Sequence, residues 1–385
     1  MHIGLVTPFN PAAFASRLGP EAPKMHPGAT AVHILAQELL ALGHTLTVFT
    51  SYPGKGQVRT WSGEGLTVRA VPRGGGVPLT GTRRAVARRL RKLMAPSIGK
   101  LDVLHAQWTY EYALAASAFS DRIPTFCSVR DWAPYQLEMS TSWQFRLYWK
   151  QSVGIMREVL QDKKITFIAN SEYTRSCLRN WDSSLPVVLL PNPVQEDFIR
   201  TERSDYPAAP VLVSVCQSMD ARKNIGTLLE AFRLYRQERP KAQLHLGGKD
   251  FYPDHPKLRP YADLLEGVVL HGWLEREDLK DLLDSASVLV LPSLEETFGN
   301  VLLEGMARRV EVIGGQASGA VPAVLGQGKY GILCDVTSPE ALCAALVQAE
   351  ARAHVEAATA MLQEKYAAGA LVRRQIELYE HGAVR

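Results

Sequence analysis

The chain has 385 residues, enough for two ordinary domains that each bury a core. With 46% hydrophobic and 21% charged residues and a formal net charge of +4, it reads as a globular protein in water and gives no footing for nucleic acid as a partner. Five cysteines, an odd number without a CxxC pair, argue against a disulfide frame or a cysteine zinc site and fit reduced thiols in a cytoplasmic protein.

The first strand-like run is HIGLVTP (2–8), preceded by no charged region and long apolar stretch of the kind a secretory signal needs. No run approaches the ~20 apolar residues that span a bilayer. ATAVHILAQELLALGH (29–44) has helical spacing. Strand-like runs follow at 45–51, 101–107, 124–131, 165–171 and 186–194. The alternation restarts at VLVSVCQ (211–217), with a helix at 224–238 and strands at 243–248, 267–272, 287–293, 310–315 and 331–336. Short β-branched runs alternating with helices predict βαβ units and parallel sheets. The polar, proline-containing TERSDYPAAP (201–210) reads as the joint between them. The expected domains are 1–200 and 201–365, with a final helix over 366–385 that packs back on the first.

Ligands of open α/β sheets bind beyond the carboxyl ends of the strands. One such end is SLEETFGNVLLEGMA (293–307), where Glu296 and Glu304 stand at either side of a Phe-Gly-Asn turn and a short apolar run. A strand ends here and a helix begins, so the amides of Gly299, Asn300 and Val301 form a helix N-terminus suited to an anion. An ionised carboxylate only accepts hydrogen bonds and so suits a vicinal diol. A diphosphate on the helix end with a diol-binding carboxylate on each side has the shape of a nucleotide-sugar. Two exposed glutamates near a helix start are the plain structural alternative.

SLEETFGNVLLEGMA resembles the E-x7-E region of the retaining GT-B-fold glycosyltransferases of family 4 (glycosyltransferase group 1). HPGATAVHILAQELLALGHTLTVFT, IANSEYT, VLLPNPV, RKNIGTLLEAF and LHGWLEREDLKDLLDSASVLVLPS resemble other segments of that family in the same order, over nearly the whole chain. The resemblance implies an α/β fold of two Rossmann-like parallel-sheet domains facing each other across a cleft. By the same match, Glu304 holds the ribose hydroxyls of the donor and Glu296 the hydroxyls of the transferred sugar. Gly299, Asn300 and Val301 present amides to the diphosphate, with Phe298 beside them. Lys223 neutralises the diphosphate, where a fixed cation lowers the barrier to its departure. Gly28 and Gly248 lie where backbone approaches the donor, Gly28 fitting a helix-start glycine as well, and Trp273 and Leu274 where the nucleobase stacks, a place that packing between domains fits equally.

The chain departs from that pattern at several places. Gln217 and Ser218 occupy the positions of an arginine, and Arg222 is the candidate replacement. Arg130–Asp131 stands for a His-Asp pair; Arg130 stays protonated and cannot act as a base, but it can bind a sugar hydroxyl or an anion, or else form an ion pair. Ala323 replaces a glutamate, and Arg309 and Glu311 replace a glycine and a proline. His105 reads as a satisfied near-core histidine. The chain has neither a DxD triplet nor a His pair at metal spacing, so no metal and no cofactor are expected.

These residues imply transfer of a sugar from a UDP- or GDP-type nucleotide-diphosphate sugar to a glycan, glycolipid or small-molecule acceptor. The implied mechanism is retaining and front-face, without a protein nucleophile. The alternatives are a non-catalytic nucleotide-sugar-binding protein and an epimerase or phosphorylase on the same fold. TRRAVARRLRKLM (82–94) carries six basic residues and no acid, with an apolar stripe at helical spacing. It reads as a core-packed helix with a solvated basic face, and residues 83–92 are the candidate contact with anionic lipid at the inner membrane face.

Overall fold

A computed structural model describes residues 1–26, 29–74 and 82–382. It divides into two units, Met1–Pro193 with Ala368–Arg385, and Val194–Ala367.

The first unit is built on eight strands: β1 (His2–Val6), β2 (Thr45–Tyr52), β3 (Arg59–Gly63), β4 (Leu66–Pro72), β5 (Val103–Gln107), β6 (Thr125–Val129), β7 (Ile165–Ala169) and β8 (Val187–Leu189). Their order is β3-β4-β2-β1-β5-β6-β7-β8, and every pairing is parallel except β3 with β4. β5 and β6 are buried along their whole length, which is why they read as apolar runs. The β3–β4 hairpin is absent from the sequence reading. β3 is an edge strand with four of its five residues exposed, so RTWSG has no buried face to pattern it.

Val86, Leu90, Leu93 and Met94 bury the apolar stripe of the helix Thr82–Met94, as its spacing predicts. The C-terminal helix (Ala368–His381) belongs to the first unit. Its Tyr379 hydroxyl lies 2.6 Å from His105 Nδ1, while Nε2 lies 2.8 Å from the Ser128 hydroxyl. Burial holds the His105 pKa down to about 3, so this histidine is a neutral core residue, as its setting in the sequence indicates.

The second unit is a parallel sheet of β9 (Val211–Val215), β10 (Gln243–Gly247), β11 (Val268–Gly272), β12 (Val288–Leu291), β13 (Glu311–Gly315) and β14 (Ile332–Cys334). The order is β11-β10-β9-β12-β13-β14. The chain runs outward from β9 to β11, then returns to the other side of β9 with β12. That reversal creates a crevice beyond the ends of β9 and β12, the place where doubly wound sheets take ligands. The first sheet reverses in the same way between β1 and β5.

The boundary between the units falls at Pro193/Val194, earlier than the 200/201 read from the sequence. Val194 donates its N–H to the Tyr366 carbonyl at 2.8 Å, and Phe198 is 2% exposed in the second core. TERSDYPAAP is not a free tether either. The Arg203 guanidinium donates to the carbonyls of Asp284 and Ala286, both at 2.6 Å, and fastens the segment to the second unit.

Candidate active site

The loop after β9 is fixed by its own polar residues. Asp220 Oδ1 accepts the Lys223 N–H at 3.1 Å and closes a short turn over Ala221–Lys223. Asn224 follows in the left-handed conformation, φ +52°, which asparagine tolerates better than most residues. Its amide donates to the Pro292 carbonyl at 3.2 Å and the Val336 carbonyl at 2.7 Å. Leu294 N–H donates to the Arg222 carbonyl at 2.8 Å. These bonds stitch the loop after β9 to the loop after β12, so Lys223 and Glu296 meet although 73 residues separate them in the chain.

The Lys223 ammonium donates to Glu296 Oε1, and Arg222 Nη1 lies 3.5 Å from the same oxygen. Arg222 also donates to the Glu295 carbonyl at 2.7 Å. Burial pushes the Glu296 carboxyl up, but Lys223 and Arg222 together more than offset this and hold it below its ordinary value. Glu296 is therefore ionised at neutral pH and able to accept hydrogen bonds.

The helix Asn300–Ala307 opens beside this cluster with no side-chain cap. Gly299 sits at φ +88°, a conformation L side chains rarely adopt, and a Cβ there would meet Leu291 and Leu302 side-chain atoms at 3.2 Å. The first amides of the helix are thus presented by a turn only glycine makes easily. Just over one turn into the helix, Glu304 is half-buried, and its carboxylate has no hydrogen-bond or ion-pair partner among the described residues. Burial pushes its pKa up to about 7, with only partial relief from Arg276. Among the described residues Glu296 is matched by two cations and Glu304 by none within contact distance.

The remaining sequence-derived residues fall into place less uniformly. Gln217 is exposed at the end of β9. Gly248 stands after β10 at φ +142°, where a Cβ would lie 1.9 Å from the Cys216 carbonyl, so this glycine is required by close backbone approach. Trp273 and Leu274 follow β11; Leu274 packs on the core, and the Trp273 Nε1–H is buried without a partner among the described residues. Phe298 does not face the site. It is 3% exposed and stacks edge-on to Tyr366 with ring centroids 5.8 Å apart, because the Gly299 turn sends its side chain into the core. Gly28 lies outside the described residues. Arg130 belongs to the first unit, where it donates to Gln107 Oε1 at 2.9 Å and to Asn192 Oδ1.

The departures Arg309 and Glu311 are structural. Arg309 takes φ +57° and is held by bonds to the Thr201 carbonyl, at 2.9 Å, and Glu356. Glu311 is 1% exposed and accepts from His354 N–H at 3.1 Å and Nδ1 at 2.7 Å. Ala323 lies in the short helix Val321–Val324. Among the described residues no cluster of three or more His, Cys, Asp or Glu is placed to hold a metal ion, and no helix is long and apolar enough to cross a membrane.

Sequence reasoning missed Asp220, Asn224 and Glu295, all within or beside the motifs it used. It also missed a cluster in the first unit. The sequence places Arg83 on a solvated basic face, but its guanidinium turns inward to Glu111 and Tyr148. Arg91 likewise donates to the Leu114 carbonyl at 2.6 Å. The exposed basic face is therefore Arg84, Arg88, Arg89 and Lys92, smaller than the sequence implies.

Comparison with known proteins agrees with this layout. Two parallel-sheet units of this kind define the GT-B class of glycosyltransferase folds. Sucrose-phosphate synthase from Thermosynechococcus elongatus superposes with a TM-score of 0.76 at 20% identity, covering 99% of this chain and 98% of that one. WaaG, a glycosyltransferase involved in lipopolysaccharide biosynthesis, gives 0.72 at 15% identity over 99% and 100% of the two chains. Anabaena HepE, solved in complex with UDP and glucose, gives 0.71 at 15% identity over 99% of each. The family described as Glycosyltransferase Family 4 matches residues 28–198 and that described as Glycosyl transferases group 1 matches 209–351, and the chain belongs to these glycosyltransferases. Among curated relatives, the D-inositol 3-phosphate glycosyltransferases of Streptomyces griseus subsp. griseus and Arthrobacter sp. (strain FB24) are 36% identical over 90 residues and 32% over 120. Those matches span 23% and 29% of this chain and only 19% and 28% of the relatives' own lengths.

Proposed function

We propose that the protein transfers a sugar from a UDP- or GDP-type nucleotide-diphosphate sugar to an acceptor hydroxyl with the anomeric configuration retained. The observation that carries this reading is the second unit's crevice: a cation cluster and an uncapped helix start side by side, flanked by the carboxylates of Glu296 and Glu304. A diphosphate draws Lys223 and Arg222 and receives the amides of Gly299, Asn300 and Val301. Glu304 then accepts from the ribose diol and Glu296 from the hydroxyls of the transferred sugar. In a front-face step the bond from the anomeric carbon to the diphosphate breaks and the acceptor oxygen bonds on the same face. The acceptor proton passes to the leaving diphosphate, whose growing charge the fixed cations and amides stabilise. No protein nucleophile and no metal are assigned a part.

A thermal-shift panel of nucleotide diphosphates and their sugars tests the donor site, since a ligand bound only by the folded state raises the melting temperature. One base is expected to dominate the panel. Glu304→Ala is expected to remove most of that shift, whereas Glu296→Ala keeps it and loses turnover. A flat panel overturns the reading.

A non-catalytic binder is the second reading, favoured by one observation: Arg130, where a histidine is usual in the family, has its donors engaged by Gln107 and Asn192. A nucleotide shift without turnover against any acceptor class would select it. The setting proposed is cytoplasmic, with Arg84, Arg88, Arg89 and Lys92 as the face that meets anionic lipid. Vesicle sedimentation that does not depend on anionic lipid would remove that contact.

A further inference from the structure

The carboxyl edge of the first sheet carries a second charged cluster, gathered from several separated segments. Glu111, 4% exposed, opens the helix that follows β5. Arg73, just past β4, donates to Glu111 Oε1 at 3.0 Å, to Ser51 Oγ at 2.9 Å and to the Tyr112 hydroxyl at 3.4 Å. Arg83 donates to Glu111 Oε2 and the Tyr148 hydroxyl. Its guanidinium carbon also lies 4.3 Å and 4.6 Å from the ring centroids of Tyr110 and Tyr148. Asp131 stands one layer further, accepting from the Tyr110 hydroxyl at 2.6 Å. His26, whose Nε2–H donates to the Ser51 carbonyl, is kept from protonation by burial and adds no positive charge.

The two arginines differ. The Arg83 side chain is 13% exposed and held between two aromatic rings, so it positions the others. The Arg73 side chain is 36% exposed, and its Nη1 has no hydrogen bond among the described residues. The fork of Arg73 is thus pinned on one side by Ser51, Glu111 and Tyr112 and open on the other. One carboxylate shared by two guanidiniums leaves positive charge at the only member of the trio that reaches solvent to this extent. The cluster also lies beyond β2, β4 and β5, next to the β1–β5 reversal where this kind of sheet takes a ligand.

We infer that Arg73 is a specificity-determining residue for an acceptor that carries a phosphate group, with Glu111 and Arg83 as positioning residues. A guanidinium held in a fixed plane matches two phosphate oxygens at once, which a flexible ammonium does not. The inference rests on the glycosyltransferase reading for the word acceptor; the phosphate site itself stands on the first unit's geometry alone. The phosphate can be that of a soluble sugar phosphate or of a lipid headgroup.

The test is calorimetric titration of the full chain with matched probes, glucose 6-phosphate against glucose and inositol 1-phosphate against inositol. Sedimentation with phosphatidylcholine vesicles, with and without phosphatidylinositol, runs beside it. At least one phosphorylated probe, soluble or vesicle-borne, is expected to bind ten-fold or more tightly than its neutral counterpart. Arg73→Gln erases that preference, Arg73→Lys restores part of it, and Lys223→Ala leaves it intact. If Arg73→Gln disturbs folding, the Arg73→Lys variant carries the comparison through its loss of preference at full charge. The proposal is overturned if no probe shows a phosphate preference, if Arg73→Gln keeps the wild-type preference, or if the preference disappears in Lys223→Ala instead, which would put the phosphate in the donor crevice. Failure of the nucleotide panel with an intact Arg73 effect would sink the donor reading and leave this one standing.

Discussion

The two sheets solve one problem in different ways. Each reverses its strand order near the middle and leaves a crevice there, and each lines that crevice with arginine or lysine against a glutamate. In the second unit most of the candidate site residues follow a single strand, in the fifteen residues from Ser293 to Ala307, with Arg222 and Lys223 brought in from the loop beside it. In the first unit Ser51, Arg73, Arg83, Glu111 and Tyr148 come from five places, and no two of them share a motif. The carboxylates differ as well. Glu111 is enclosed by two guanidiniums, whereas the half-buried Glu304 has no hydrogen-bond or ion-pair partner among the described residues. A satisfied buried charge fixes local structure, and an unsatisfied one stores free energy for a ligand to release.

The largest effect is expected where the charge is both buried and paired. Glu111→Ala removes the carboxylate that two guanidiniums share and leaves their charges facing each other in a poorly solvated place. A loss of roughly 3–5 kcal/mol is the usual cost of breaking such a pair. For a unit of this size that corresponds to a fall of about 10 °C in melting temperature, readable by calorimetry. Glu304→Ala should lower stability little or not at all. Equal losses in the two variants would erase the contrast between the crevices.

The next largest concerns rate. Lys223→Ala takes away the cation proposed to face the leaving diphosphate, and turnover should fall about 10²–10³-fold, as when one preorganised charge-stabilising donor is lost. Lys223→Arg should recover only part, since a planar fork replaces a compact point charge. A variant that turned over within about three-fold of wild type would show that Arg222 or the helix amides suffice, the latter in keeping with their role at helix starts.

What could be read beforehand follows from the same contrast. The helix start after β12 was legible because its residues are contiguous and its turn is written in the glycine at 299, whereas the left-handed turn at Asn224 after β9 went unread. Phe298 misled because sequence adjacency to a site does not say which way a side chain points, and the turn at Gly299 sends it inward. Arg309 was legible only as a residue standing where a glycine is usual. An arginine at φ +57° in place of glycine costs on the order of 1 kcal/mol in backbone strain, and its two tertiary bonds, to Thr201 and Glu356, are invisible in one dimension. The first unit's cluster was hidden by its own basic helix, whose regular stripe places Val86 and Leu90 on the core but does not tell Arg83, which turns inward, from Arg84, which is 51% exposed. The β3 edge strand left no signal because it has no second face to bury.

The smallest effect is the most discriminating, because its sign depends on pH. Burial raises the Glu304 carboxyl from its ordinary 4.5 to about 7. Between those values the folded protein holds a proton that the unfolded chain has already lost, so this side chain's contribution to stability falls as pH rises and levels off above about 7. Glu304→Gln removes the titration. The variant should melt higher than wild type at about pH 8, by a few degrees for a difference on the order of 2 kcal/mol. The gap should narrow near pH 5 and close near pH 4, where both states of the wild type are protonated. Nucleotide affinity should move the other way: wild type should weaken as pH falls from about 8 to 6 and the carboxylate loses an acceptor site, while the glutamine variant binds weakly and without that slope. A constant stability gap across this range would mean that Glu304 titrates as an ordinary carboxylate, and its assignment to the ribose would lose the unpaired charge it rests on.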